Sequence, residues 1–287
     1  MDLTRYKDEI FKSVSTQKNI SYVEEKRAGI KKKHHLFDLY EPKDDTAQNR
    51  PLIIWMHGGG FKLGSKHAKG IRIWSRSFAK RGYVSAGLNY RLSKHNPLFN
   101  FTELKRSCYD AVQDVNEAIA FFKKNHAQYR IDTNRIILAG NSAGGMIALH
   151  AAYTSNAELA ASAQITETGL STVYNPSKVA AVVNFWGGLF NINWLNNSYV
   201  PIVSVHGSND RLIRISHKDT SLYGSADIHE MADKLKIPNA LKIFDGYSHE
   251  LQKHFNPIFH DSSTEQRWLD AGQFAADFLY SKLLKVN

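Results

Sequence analysis

The sequence has a single cysteine, Cys108, and no long apolar run. One cysteine excludes an intrachain disulfide, which fits a reducing compartment, although a periplasmic protein without disulfides would look the same. Cys108 lies in a helical pattern, so we expect a buried, unreactive thiol. A helix that crosses a membrane needs about 20 consecutive apolar residues. We therefore expect no membrane insertion.

The first residues, MDLTRYKDEIFKSVSTQ, lack the apolar core flanked by basic residues that marks a signal peptide. The sequence as given therefore fits a cytoplasmic protein. A periplasmic or secreted location stays open, because removal of a leader would leave the same sequence. Internal repeats, low-complexity tracts and linkers rich in Pro, Gly and Ser are also absent. We expect one domain over residues 1–287.

Acidic residues are outnumbered: 27 Asp and Glu stand against 37 Lys and Arg, which gives a net charge of +10. The densest basic run is KRAGIKKKHH, residues 26–35. This run is compatible with a nucleic-acid contact or with a solvated loop between two strands. No nucleic-acid-binding motif accompanies the charge, so we favour the loop and expect no nucleic-acid partner.

Patterns typical of strands alternate with patterns typical of helices along the chain. This alternation predicts an α/β fold, a mostly parallel central sheet with helices on both faces. The predicted strands cover residues 20–25, 34–42, 50–60, 83–92, 134–140, 179–188, 199–210 and 239–246. The predicted helices cover residues 70–82, 101–129, 225–237 and 263–284, and a further helix starts just after Ser142.

Three regions refine this prediction. Residues 1–49 contain a lead segment and the first two strands, which we expect to be antiparallel at one end of the sheet. Only about ten residues join the strands at 179–188 and 199–210, too few for a large lid. Residues 156–178 are the candidate for a small cover.

The stretch LAGNSAGG, residues 138–145, contains the pattern G-x-S-x-G around Ser142. Five positions with three fixed occur often by chance, so the pattern alone is weak. Its place between a buried strand and a helix is where a nucleophile elbow must be. The alternative is a phosphate-binding loop, but neither a Lys followed by Ser or Thr nor a G-x-G-x-x-G spacing is present.

A nucleophilic serine needs a base, and the base needs a group that orients it. In this architecture both come from loops at the carboxyl ends of later strands, in the order Ser, acid, His. Asp210 follows one predicted strand directly, and His249 follows the next. We predict that Asp210 accepts the Nδ1 proton of His249 and that Nε2 of His249 takes the proton from Ser142.

Rival residues are less well placed. His206 lies inside a predicted strand and is expected to be structural, whereas His254 and His260 lie off the strand end and are expected to be solvated. Asp219 lies too far into its loop, and Asp245 belongs to the strand that leads to the predicted base.

The stretch MHGGGF, residues 56–61, follows the third predicted strand. Glycines let backbone N–H groups approach a substrate closely, so we expect Gly58 and Gly59 to bind a developing oxyanion. The N–H of Ala143, directly after the predicted nucleophile, would be a third donor. Alone the stretch could be a flexible loop, but together with the elbow it is a strong signal.

These residues resemble the α/β-hydrolase superfamily, in particular carboxylesterases related to hormone-sensitive lipase. The matching motifs, in the family's order, are HGGGF at 57–61, NYRL at 89–92, AGNSAGG at 139–145, HGSND at 206–210 and GYSHE at 246–250. The resemblance implies hydrolysis of esters through an acyl-serine intermediate, with no metal or organic cofactor. It also implies a small-molecule ester as the partner and leaves the oligomeric state open.

The chain departs from the family pattern at three points. Asn141 replaces an acidic residue that many relatives carry, the proline and glutamate common after NYRL are absent, and no N-terminal helical cap is evident. These features resemble the compact, lidless acetyl-esterase-like members. We therefore expect a serine carboxylesterase for short-acyl esters. An arylformamidase-like amide hydrolase, a deacetylase of plant polysaccharides and a non-catalytic ligand-binding homologue are the alternatives.

Candidate pocket residues follow from position in the sequence. Phe61 follows the glycines of the predicted oxyanion site, and Trp186 and Leu189 follow the strand after the nucleophile helix. They could form the wall of an acyl or alcohol site. An ordinary place in the hydrophobic core is an equally good interpretation. Tyr90 is expected to support the oxyanion loop from beside it.

Overall fold

A computed structural model describes residues 4–23, 31–166, 179–217, 222–256 and 261–285. Eight strands form one sheet in the order β1-β2-β4-β3-β5-β6-β7-β8. Pairing of β1 with β2 and of β2 with β4 is antiparallel, and the other pairs are parallel. The strands are β1 Val14–Ser21, β2 Leu36–Pro42, β3 Arg50–Met56, β4 Val84–Leu88, β5 Ile131–Asn141, β6 Ala181–Phe185, β7 Ile202–Gly207 and β8 Asn239–Phe244.

Helices cover both faces of the sheet. They are α1 Lys69–Lys80, α2 Phe101–Lys124, α3 His126–Tyr129, α4 Ala143–Tyr153, α5 Asn156–Ser162, α6 Ser225–Lys234 and α7 Ser262–Leu279. Apolar residues of α1 and α7 pack on one face, and those of α2, α4, α5 and α6 pack on the other. The predicted sheet with helices on both faces is confirmed. None of the described helices is long and apolar enough to span a membrane.

The central strand β3 shows why the core has two halves. All of its residues are buried, as expected for a parallel strand covered on both faces. Its side chains alternate: Trp55 packs among α1 and α7, whereas Ile54 packs on the side of α2 and α4. Trp55 stacks on Trp74 of α1 with ring centroids 5.3 Å apart. Cys108 of α2 is completely buried, and burial raises the pKa of its thiol.

The N-terminal hairpin is confirmed, but its first strand begins earlier than predicted. β1 starts at Val14 and pairs antiparallel with β2, from Val14 opposite Pro42 to Ser21 opposite Leu36. The exposed residues of β1 are polar, and the alternation of apolar and polar residues that indicates a strand is weak in this segment. Residues 26–30 of the basic run lie outside the described residues. Its end forms a 3-10 turn in which the lysines are exposed, while His35 is buried against Asp114 at 3.3 Å.

Two helical regions also differ from the prediction. The region 101–129 forms two helices rather than one, because the chain leaves helical geometry at Asn125, where φ is −103° and ψ is 22°. The short helix α5 was not predicted. It lies in the expected cover, begins with a capping box at Ser155 and packs against α2. The remainder of that cover, 167–178, lies outside the described residues.

A buried ion pair ties the loop after β3 to the N-terminal hairpin. Nζ of Lys66 lies 2.6 Å from Oδ1 of Asp38 and 2.9 Å from Oδ1 of Asn19. Both charged side chains are only 1% exposed. The backbone N–H of Lys66 donates to Oδ1 of Asn89 at 2.6 Å. The loop that carries the glycines of HGGGF is therefore anchored at its far end.

Lys66→Met should destabilise the protein strongly, because it removes the lysine that pairs with the buried Asp38 carboxylate and leaves only His67, whose Nδ1 lies 3.5 Å from Oδ2, beside it. Breaking such a pair costs about 3–5 kcal/mol. The control is Lys234→Met, which removes an exposed pair with Glu230 and should cost less than about 1 kcal/mol. Urea unfolding measures both variants. Equal losses in the two would contradict this account of the buried pair.

Candidate active site

The turn between β5 and α4 holds Ser142 in a strained backbone conformation. Its φ is 53° and its ψ is −121°, a region that residues with side chains rarely adopt. The N–H of Ser142 donates to the carbonyl of Phe185 at 2.8 Å. A Cβ atom on Gly144 would lie 2.0 Å from the carbonyl oxygen of Met56, so only glycine fits there. The turn is therefore sharp and lifts the serine hydroxyl above the sheet edge.

The structure brings the three predicted residues Ser142, His249 and Asp210 together. Nε2 of His249 lies 2.9 Å from Oγ of Ser142, and Nδ1 lies 2.7 Å from Oδ2 of Asp210. All three residues are buried. Since a carboxylate only accepts hydrogen bonds, Nδ1 carries the proton, and Nε2 is the atom that can accept the serine proton.

Asp210 is held as an anion by its surroundings. Burial alone would raise its pKa, but hydrogen bonds from His206 and His249 outweigh that effect and hold the pKa below its ordinary value. Its other oxygen, Oδ1, accepts the N–H groups of Leu212 at 2.8 Å and Ile213 at 3.0 Å. A carboxylate held in this way can orient the imidazole and stabilise positive charge on it.

His206 contacts the same carboxylate as His249. It is completely buried, and its Nε2 lies 3.4 Å from Oδ2 of Asp210 and 2.9 Å from the carbonyl of Ile213. Its Nδ1 lies 2.7 Å from Oγ of Ser225. The expected structural role of His206 is thus to hold the loop around Asp210 in place.

The loop that carries His249 is fastened to α7. Glu250 and Leu251 both have a φ of 57°, so the chain turns sharply after the histidine. Nε1 of Trp268 donates to the carbonyl of Glu250 at 2.8 Å, and Nε of Arg267 donates to the carbonyl of Leu251 at 2.6 Å. These bonds restrict the position of the imidazole.

The glycine loop differs from the prediction at Gly58. Its N–H already donates to Oδ1 of Asn141 at 3.1 Å, so it is not available to a substrate. The N–H groups of Gly59, Gly60 and Ala143 have no acceptor among the described residues, and all three residues line the cavity above Ser142. The N–H group expected from Gly58 is thus engaged with Asn141 in this structure, whereas that of the neighbouring Gly60 has no acceptor among the described residues.

A stacked pair of rings supports the glycine loop from below. The rings of His57 and Tyr90 are 4.4 Å apart and nearly parallel, at 16°. Oη of Tyr90 donates to the carbonyl of His57 at 2.7 Å, and Nδ1 of His57 donates to the carbonyl of Gly58 at 2.7 Å. The expected support by Tyr90 is present in the structure.

A cavity of about 700 Å³ opens above Ser142 and is lined mostly by apolar residues. Phe61 lies in its wall, as predicted. Trp186 and Leu189 do not line it and lie in the hydrophobic core. Further large apolar residues of the wall, none of them predicted from the sequence, are Leu63, Ile71, Trp74, Leu98, Phe101, Leu104, Met146, Leu212, Ile213, Leu222, Phe255 and Trp268.

The rival residues lie elsewhere. Oδ1 of Asp245 accepts a hydrogen bond from Oγ of Ser208 at 2.8 Å and lies outside the cavity lining. His254 is exposed, as expected. Asp219 and His260 lie outside the described residues.

Comparison with known proteins identifies the family of the chain. A profile of the BD-FAE family matches residues 37–197, more than half of the chain. The chain belongs to the BD-FAE family. The match includes the glycine loop and Ser142 and ends before Asp210 and His249.

This BD-FAE member is similar to several esterases. Esterase LipC of Mycobacterium tuberculosis is 31% identical over 121 residues, which are 42% of this chain and 27% of LipC. The probable carboxylic ester hydrolase LipM of the same organism is 29% identical over 147 residues, which are 51% of this chain and 30% of LipM. The matched segment thus spans less than a third of the length of these relatives.

Solved structures show the same fold. The propionate-bound esterase Est2 of Thermogutta terrifontis superposes with a TM-score of 0.64 at 20% identity, over 93% of this chain and 94% of Est2. The native Est2 structure gives a TM-score of 0.63 at 21% identity, over 98% and 96%. The architecture of this BD-FAE member is the α/β-hydrolase fold.

Asn141→Ala should lower kcat, because the N–H of Gly58 loses its acceptor and the glycine loop shifts away from Ser142. Misplacement by about 1 Å can cost about 100-fold in rate, and we expect a loss of about 10-fold or more. Asn141→Asp keeps an acceptor oxygen and should stay much closer to the wild type. Steady-state hydrolysis of a p-nitrophenyl ester measures both. Equal rates in the Ala variant and the wild type would exclude this role for Asn141.

Two buried histidines should make the fold sensitive to acid. Burial lowers the pKa of His57 to about 4 and that of His150 to about 4. In the unfolded chain both would titrate near pH 6.5, so between about pH 6.5 and 4 the unfolded state binds more protons and stability falls with falling pH. Two protons correspond to about 2.7 kcal/mol per pH unit near pH 5.

Urea unfolding between pH 4.5 and 7 measures this slope. His150→Gln should lower the slope by about 1.4 kcal/mol per pH unit near pH 5, whereas His126→Gln, at an exposed position, should leave it unchanged. A stability that is flat across this range would contradict the assignment of two neutral buried imidazoles.

Proposed function

We propose that the protein is a serine carboxylesterase that hydrolyses small, short-acyl esters through an acyl-serine intermediate. The observation that carries the proposal is the hydrogen-bonded chain from Oγ of Ser142 through His249 to Asp210, at 2.9 Å and 2.7 Å. This chain faces a cavity in which three backbone N–H groups have no acceptor among the described residues.

The first half of the reaction forms the acyl-enzyme. Oγ of Ser142 attacks the ester carbonyl while Nε2 of His249 takes the hydroxyl proton. The Asp210 carboxylate stabilises the imidazolium that results. The N–H groups of Gly59, Gly60 and Ala143 donate to the oxyanion as it develops. His249 then gives its proton to the leaving alcohol, and the carbon–oxygen bond of the ester breaks.

The second half releases the acid. Water enters where the alcohol has left, and Nε2 of His249 takes a proton from it as its oxygen attacks the acyl carbon. The second tetrahedral intermediate is held by the same N–H donors. It collapses when His249 returns the proton to Oγ of Ser142, and the carboxylic acid leaves. The side chains named here carry every proton transfer.

The names of the relatives support an ester as the substrate. LipC is an esterase, LipM is a probable carboxylic ester hydrolase, and Est2 has been solved with propionate, a short acid. The presence of all three residues argues against a non-catalytic homologue. No feature of the described cavity favours the amide or the polysaccharide alternative over a small ester.

Hydrolysis of p-nitrophenyl esters from acetate to palmitate tests the proposal. We expect fast turnover of acetate and butyrate that falls steeply with acyl length. Ser142→Ala, purified in the same way, should lose activity by a factor of about 10⁴ to 10⁶, as loss of a nucleophile in such a triad does. Circular dichroism confirms that the variant is folded. Turnover that survives in Ser142→Ala would overturn the proposal.

A further inference from the structure

Two arginines lie on the cavity wall beside the proposed catalytic residues. Arg211 and Arg214 both line the cavity that contains Ser142. They belong to the short loop after β7, in which Oδ1 of Asp210 accepts the N–H groups of Leu212 and Ile213. The backbone that carries both guanidinium groups is therefore held in a fixed place next to the proposed triad.

Neither guanidinium group has a carboxylate partner in the described part of the chain. Other arginines do: Arg81 pairs with Glu9, and Arg91 pairs with Asp114 at 2.8 Å. Unlike those two, Arg211 and Arg214 are exposed. Two cationic side chains thus line the cavity without a carboxylate beside them among the described residues.

The other charged groups of the cavity do not cancel this charge. Lys69 forms an ion pair with Glu265. Glu250 is the one acidic residue in the described lining, and its Oε2 accepts a hydrogen bond from Nε2 of Gln252 at 3.4 Å. The charged lining residues that remain are two arginines and one glutamate, so the cavity has an excess of positive charge. The protein as a whole carries a net charge of +10.

Most of the other residues that line the cavity are apolar. They include Phe61 from the glycine loop, Leu98, Phe101 and Leu104 of α2, and Met146 of α4. An acetyl or butyryl group fills only part of a cavity of about 700 Å³. The cavity thus has room for an ester that combines an apolar part with an anionic group.

We propose that Arg211 and Arg214 select esters that carry a carboxylate, so that the preferred substrate is a partly apolar, anionic ester. The planar guanidinium group binds a carboxylate through two parallel hydrogen bonds, which gives both charge and shape selectivity. This inference rests on the proposed esterase function and adds the class of substrate to it.

Matched pairs of anionic and neutral esters test the inference. The first pair, mono-p-nitrophenyl glutarate and p-nitrophenyl pentanoate, places the carboxylate on the acyl side. The second, 4-acetoxybenzoate and its methyl ester, places it on the alcohol side. The ratio of kcat/KM, anionic over neutral, is measured for each pair near pH 7.5 and at low salt, where the carboxylates are ionised.

In the double variant Arg211→Gln and Arg214→Gln, this ratio should fall about tenfold for at least one pair, mostly through KM, as two partly exposed charge pairs allow. The control Arg72→Gln, exposed on α1 and outside the cavity lining, should leave the ratio unchanged. In the wild type, a salt concentration of about 0.5 M should lower the same ratio, because it screens exposed charges.

The outcomes separate the two proposals. A ratio that neither the double variant nor salt changes would overturn the selection of anionic esters. The esterase function would still stand if the neutral esters were cleaved in a Ser142-dependent way. Absence of Ser142-dependent cleavage of every ester would overturn both.

Discussion

The first turn of α4 lies directly against the end of β3, so closely that a Cβ atom on Gly144 would lie 2.0 Å from the carbonyl oxygen of Met56. This close approach sets the path of the turn around Ser142, whose φ of 53° and ψ of −121° place it in a sparsely populated region. Strain of this kind costs about 1–3 kcal/mol and persists because β5 fixes the residue before Ser142 and α4 the residue after it. The site is therefore built around a hydroxyl whose position the backbone dictates.

Buried polar contacts then bring the other parts of the site to that hydroxyl. Asn141 holds Gly58 across the sheet edge, and Tyr90 holds the carbonyl of His57, so the glycine loop is fixed from two sides. The ion pair of Lys66 with Asp38 fixes its far end. Such contacts are costly to leave unpaired. They hold in place the loop whose residues Gly59 and Gly60 line the cavity, where their N–H groups have no acceptor among the described residues.

The order of elements and the meeting of Ser142, Asp210 and His249 could be predicted from the sequence, because each residue lies within a few residues of the end of a strand and parallel strands end at one edge of the sheet. The contact between Asn141 and Gly58 could not be predicted in this way. The two residues lie 83 positions apart, and the pattern G-x-S-x-G does not indicate what Asn141 contacts. For Trp186 and Leu189 the cavity and the hydrophobic core were equally good interpretations, and the structure places both in the core. Sequence position reveals which loop a side chain belongs to, whereas the direction in which it points depends on tertiary packing.

The proposed mechanism requires that Ser142 is the residue that becomes acylated. Labelling with diethyl p-nitrophenyl phosphate, followed by peptide mapping in a mass spectrometer, tests this directly, because an activated serine forms a stable phosphoryl adduct. We expect one adduct per chain, on the peptide that contains Ser142, with loss of esterase activity in proportion to labelling and no adduct in Ser142→Ala. An adduct on another residue that accompanies the loss of activity, or full activity with Ser142 unlabelled, would contradict it.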